Sequence, residues 1–102
     1  MIPLTFDLHM PSFRRQSIDV VLDVRSRMEF WFGHLDGATC IPVGTLADTL
    51  AERAGISKDM RILVYCASGA RSAVAVGVLG SLGYRRVTDG GAMATAKPGY
   101  VA

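Results

Sequence analysis

The chain has 102 residues, half of them hydrophobic and 20% charged, with a formal net charge of +2 at pH 7. That composition suits one globular domain with a single core and excludes a disordered chain. The positive charge is mostly arginine, in isolated pairs such as Arg14-Arg15 and Arg85-Arg86, so no basic tract argues for nucleic acid.

In chain order, the N-terminal stretch is the least patterned. Phe6 fits an edge strand, and Met10 to Ser17 fits a helix with Pro11 in its first turn. Val20-Val21-Leu22-Asp23-Val24 reads as a strand buried on both faces. Ser26 is placed to cap a short helix carrying Met28, Phe30 and Trp31, with Gly33 ending it. Thr39-Cys40-Ile41 is a short strand stopped by Pro42. A helix from about Val43 to Arg53 follows, with Leu46, Ala47 and Leu50 on one face and Gly55 as its stop.

Next come a strand from Arg61 to Tyr65, a tight turn at Cys66, and a helix from Arg71 to Leu82 ended by Gly83. Arg86-Val87-Thr88 is a last short strand before Asp89-Gly90-Gly91. Strands alternating with helices predict one α/β domain over residues 1–102, built on a parallel sheet. Ala73, Val74, Ala75, Val76, Val78, Leu79 and Leu82 leave the fourth predicted helix little polar face. Tight packing on the sheet, eased by its small residues, is favoured over a partner or dimer contact on its outer side.

The N-terminus lacks a basic start and a continuous apolar segment, and the longest nearly uncharged run, Ser72 to Tyr84, is too short to span a bilayer. Two cysteines do not make a disulfide framework. A reducing, cytoplasmic setting is expected, without membrane partners.

The chemistry centres on Tyr65-Cys66-Ala67-Ser68-Gly69-Ala70-Arg71-Ser72. A cysteine here stands where a buried strand ends and a helix begins, and a helix start favours an anion such as a thiolate. Ala67, Ser68, Gly69 and Ala70 are small enough for successive backbone amides to curl around one point. Arg71 can orient carbonyls or neutralise an anion, and Ser72 can hydrogen-bond within the first turn. An inert buried cysteine would explain Cys66 but not the small residues and arginine behind it. Cysteine phosphatases use a loop one residue longer between cysteine and arginine. The four residues between Cys66 and Arg71 suit one sulfane sulfur better than a tetrahedral oxyanion.

These motifs resemble the single-domain rhodaneses, the thiosulfate-type sulfurtransferases. Leu22-Asp23-Val24-Arg25 with Glu29-Phe30 is similar to the family's early strand motif. Gly33-His34-Leu35-Asp36-Gly37-Ala38 with Ile41-Pro42 resembles its G-H-I-x-G-A-x-x-I-P signature, and residues 65–72 resemble its Y-C-x-x-G-x-R-S loop. Leu82-Gly83-Tyr84 and Asp89-Gly90-Gly91 resemble its closing landmarks. The resemblance implies a five-stranded parallel sheet flanked by helices on both faces. It also implies transfer of a sulfane sulfur through a Cys66 persulfide, from thiosulfate or a similar donor to cyanide, a thiol or a protein cysteine. No metal or organic cofactor is implied. A non-catalytic or dedicated-partner persulfide carrier is the alternative, and the state can be monomer or homodimer.

Supporting positions are read more coolly. Asp23 fits a structural acceptor better than a general base. Arg25 either attracts anionic substrate or pairs with Glu29. His34 fits a loop-stabilising hydrogen bond better than a base, and His9 has no motif context. Cys40 reads as a buried small residue, with a resolving thiol as the alternative. Thr95 stands where the family usually has a tryptophan, which leaves the packing of the last segment open.

Overall fold

The computed structural model describes residues 10–52 and 55–102. Phe6, His9 and the end of the third predicted helix at Arg53 lie outside the described residues. The main sheet contains β3 (Val20–Asp23), β4 (Thr39–Cys40), β5 (Arg61–Cys66) and β6 (Arg86–Ala92), all parallel, in the order β4-β3-β5-β6. A smaller antiparallel sheet joins β1 (Ser12–Phe13), β2 (Gln16–Ser17) and β7 (Tyr100–Val101) in the order β2-β1-β7.

The parallel sheet thus has four strands among the described residues, not the expected five. The expected helix over Met10 to Ser17 is also replaced, by a hairpin. Arg14 and Arg15 both adopt positive φ, 49° and 67°, and make its two-residue turn. The turn returns Gln16-Ser17 onto Ser12-Phe13, and the other edge of β1 pairs with the C-terminal strand. The Arg14 N–H donates to Gly99 O at 2.8 Å, which anchors a backbone that non-glycine residues seldom adopt.

Period-2 alternation divides the central strands between two cores. Leu22, Val24, Ile62 and Val64 face one side and pack with Ile41, with Leu46 and Leu50 of α2 (Leu46–Glu52), and with Ala75 and Leu79 of α3 (Ala70–Ser81). Val21, Leu63 and Tyr65 face the other side with Phe13, Ile18, Leu35 and Ala96 of α4 (Met93–Ala96). Helices therefore cover both faces. None of them, among the described residues, is long and apolar enough to cross a membrane.

Three local readings need revision. The segment after Pro42 opens with a 3-10 turn, Val43–Thr45, before α2, so Leu46 and Leu50 point inward while Ala47 is exposed. In α3 the close approach to the sheet is made by Ser72 and Ala75, both fully buried. Gly77 and Gly80 lie on the open side, where an added Cβ would meet nothing within 4 Å. Finally, β6 runs on through Asp89-Gly90-Gly91 to Ala92, with a register shift opposite Val64 and Tyr65. Gly90 fits closely there: a Cβ would sit 3.1 Å from both Leu63 Cδ1 and Val64 O, tighter than ordinary van der Waals contact.

The first helix, α1 (Arg27–Phe32), forms as its sequence predicts. Ser26 accepts from the Glu29 N–H, and Glu29 accepts in return from the Ser26 N–H, a reciprocal cap. The helix buries none of its residues: Met28, Trp31 and Phe32 are each at least 70% exposed.

Candidate active site

Cys66 is the last residue of β5, so the parallel sheet delivers it to the edge where α/β sites assemble. Gly69 directly precedes α3 with φ +100°, a left-handed conformation that swings the loop amides back over the strand end. Its N–H donates to Cys66 Sγ at 3.0 Å. Burial pushes the thiol up, but the N–H and hydroxyl of Ser72 and the N–H groups of Gly69 and Ser68 outweigh it and hold the pKa below its ordinary value. The Ser72 hydroxyl also lies 3.0 Å from Gly69 O, to which it donates. Its single proton therefore serves the carbonyl or the sulfur, and a full negative charge on sulfur favours the latter. Ala67, Ser68 and Ala70 are exposed, whereas Cys66 itself is fully buried.

Arg71 turns its guanidinium onto Glu29 of α1, with Nη1 2.6 Å from Oε1 and Nη2 2.8 Å from Oε2. This fork, reinforced by the Ser26 amide, lowers the Glu29 carboxyl to about 2. The suggested Arg25–Glu29 pair is not present. Arg25 instead clasps Asp23 (Nη2–Oδ2 2.7 Å) and reaches Gly33 O at 2.6 Å. Asp23 also accepts from the Arg25 N–H at 3.0 Å and from the Tyr65 hydroxyl at 2.7 Å, all within the interior. The Tyr65 oxygen accepts in turn from the Leu35 N–H at 3.0 Å. Burial first, and the bond to Asp23, push its phenol upward, so it stays a donor. Asp23, Arg25 and Tyr65 thus brace the 33–35 segment against β3 and β5.

His34 is exposed, stacked on Phe30 at 3.6 Å, and its Nδ1 is 2.8 Å from Phe30 O. Cys40 is half-buried, its Sγ 3.8 Å from Arg25 O, and burial raises its pKa. It is in register with Asp23, which is in register with Tyr65. Strand alternation then puts Cys40 on the opposite face from Cys66. That placement speaks against the resolving-thiol reading, and both cysteines are free. Thr95 is exposed, and the core under the last segment is filled by Ala96 with Met93 and Tyr100. The structure therefore brings together Cys66, the 67–72 loop and Glu29, and sets Asp23, Arg25 and His34 apart as supports. Sequence reasoning missed Glu29 as the partner of Arg71, and Tyr65 as the link from Asp23 to Leu35.

A parallel α/β sheet with a strand that ends in a cysteine, its sulfur facing amide and hydroxyl donors that favour the thiolate, defines the class of the fold and site. The model of the rhodanese-like domain matches residues 11–96, and the chain belongs to that family. It is 37% identical over 84 residues to a sulfurtransferase of Allochromatium vinosum, covering 79% of this chain and 76% of that protein. Over 54 residues it is 46% identical to the HTH-type transcriptional regulator Rv0324 of Mycobacterium tuberculosis, covering 52% of this chain. That match spans only 23% of the regulator's length. Among solved structures, the Rhodanese_3 like domain of the Alr3790 protein from Anabaena sp. superposes with a TM-score of 0.70 at 31% identity. The match covers 78% of this chain and 90% of that one.

Proposed function

We propose that the chain is a sulfurtransferase that carries a sulfane sulfur as a persulfide on Cys66. The observation that carries this reading is the Gly69 N–H at 3.0 Å from Sγ, joined by the donors of Ser68 and Ser72 that lower the thiol's pKa. The Cys66 thiolate attacks the outer sulfur of the donor. A new S–S bond forms as the donor's S–S bond breaks, and its electron pair leaves with the departing group: sulfite from thiosulfate, a thiolate from an organic persulfide. Charge is conserved, and the terminal sulfur now bears the negative charge that the loop amides are arranged to hold. A thiophilic acceptor such as cyanide, a thiol or a protein cysteine then attacks that sulfur and regenerates the Cys66 thiolate.

Mass spectrometry of the reduced protein, incubated with a panel of sulfur donors, tests the reading. One added sulfur on Cys66, removed by cyanide, is expected. Absence of any adduct across the panel refutes it, and so does turnover retained by Cys66→Ser. Similarity to part of a transcriptional regulator favours a second reading, a rhodanese-like regulatory module. In that case loading persists but release to small acceptors is slow.

A further inference from the structure

Two arginines stand near the candidate site, and each has its charge occupied by a carboxylate of its own. Arg25 is held by Asp23 and is only 6% exposed. Arg71, the one cation within the 66–72 loop, is forked onto Glu29 through both terminal nitrogens at 2.6 and 2.8 Å. Within the loop itself, an incoming anion then meets the partial positive charge of the α3 start and the backbone amides. Those are matched to the single charge of a thiolate or persulfide. Glu29 itself is partly exposed, with 34% of its side chain accessible, and its depressed pKa keeps it ionised at neutral pH.

We propose that Glu29 is a specificity-determining residue that sets the donor class of the site. By occupying Arg71 and adding its own negative charge beside the loop, it disfavours the inorganic dianion thiosulfate against singly charged organic sulfur donors. The inference rests on the sulfur-transfer reading above and refines it. A unit charge about 6 Å from the donor in a water-like dielectric changes encounter affinity roughly threefold per donor charge. Removing it is therefore worth about tenfold for a dianion and about threefold for a monoanion.

Glu29→Gln is the test, because glutamine at this position can still close the cap with Ser26. Second-order rates of Cys66 loading are measured by mass spectrometry with thiosulfate and with benzenethiosulfonate, which release sulfite and benzenesulfinate respectively. The variant should gain more with thiosulfate, so that the thiosulfate-to-benzenethiosulfonate rate ratio rises about threefold. In the wild type, raising ionic strength should increase that ratio, because screening weakens the repulsion of the dianion more. A Glu29 that merely holds the loop in shape predicts an equal loss with both donors. That result, or a salt-independent wild-type ratio, overturns the inference while leaving sulfur transfer intact. If neither donor loads Cys66 in either protein, the inference is overturned, and loading by the wider donor panel decides separately whether sulfur transfer stands.

Discussion

Removing one oxygen atom from the interior should reveal how much the brace beside the candidate site contributes. In Tyr65→Phe the ring still fills its place between the sheet and Leu35, but two buried hydrogen bonds disappear. The Leu35 N–H, which donates to the phenol at 3.0 Å, loses its partner, and Leu35 is only 3% exposed. An unsatisfied buried amide costs about 1–3 kcal/mol. The bond from the phenol to Asp23 Oδ2, 2.7 Å long, is also lost. A hydrogen bond to a charged group contributes about 1.5–3 kcal/mol. Arg25 continues to hold the Asp23 carboxylate through three further donor contacts from its guanidinium, which moderates the second loss. The sum is about 2–5 kcal/mol. Urea unfolding followed by far-UV circular dichroism should show a midpoint lower by on the order of 2 M with an unchanged slope. Alkylation of Cys66 in the folded variant serves as the control that the loop is intact. A midpoint drop below about 0.5 M would refute the brace, because it would show that solvent or a neighbour already satisfies those groups.

Other expectations follow from the same geometry. The two cysteines are shifted in opposite directions, Cys66 down and Cys40 up, so iodoacetamide near neutral pH should label Cys66 first. Peptide mapping that found Cys40 labelled first would contradict the assignment. Glu29, held at about 2 in the folded chain, contributes stability that is complete above the unfolded carboxylate pKa and is lost as pH falls toward 2. For a pair this exposed the contribution is about 1 kcal/mol, measurable as a pH-dependent stability gap between wild type and Glu29→Gln that closes in acid. Gly77→Ala should stabilise by about 0.5–1 kcal/mol, since the added methyl meets only open space on a helix interior. Gly90→Ala should instead destabilise by about 1–3 kcal/mol, because its methyl would press on Leu63 and the Val64 carbonyl. Thermal melts of the two variants should move in opposite directions.

What could be read in advance was whatever depends on neighbours along the chain. The capping of α1 by Ser26 is a local relation, and the β3 and β5 strands are continuous apolar runs bounded by polar residues. The amide loop after Cys66 likewise follows from consecutive small residues. What escaped depends on distant partners. Arg71 lies 42 residues beyond Glu29, whereas Arg25 lies four residues before it and looked the nearer match. The N-terminal hairpin carries no glycine or asparagine at its turn, only Arg14 and Arg15, and it exists because β7 returns from the far end of the chain to pair with it. The small residues of α3 suggested close packing, but which of them face the sheet is fixed by the sheet beneath, and Gly77 and Gly80 fall on the open side.

The lone tryptophan of the chain, Trp31, stands 79% exposed on α1, edge-on to Phe32 at 5.2 Å. That same short helix buries nothing and is tied across to the cysteine loop by Glu29. Its indole is therefore a built-in optical probe of a single junction. Free of the rest of the fold, its emission should be solvent-like and open to collisional quenching by iodide. A change in that quenching when Cys66 is loaded with sulfur would report movement of α1 directly, without any label attached to the protein.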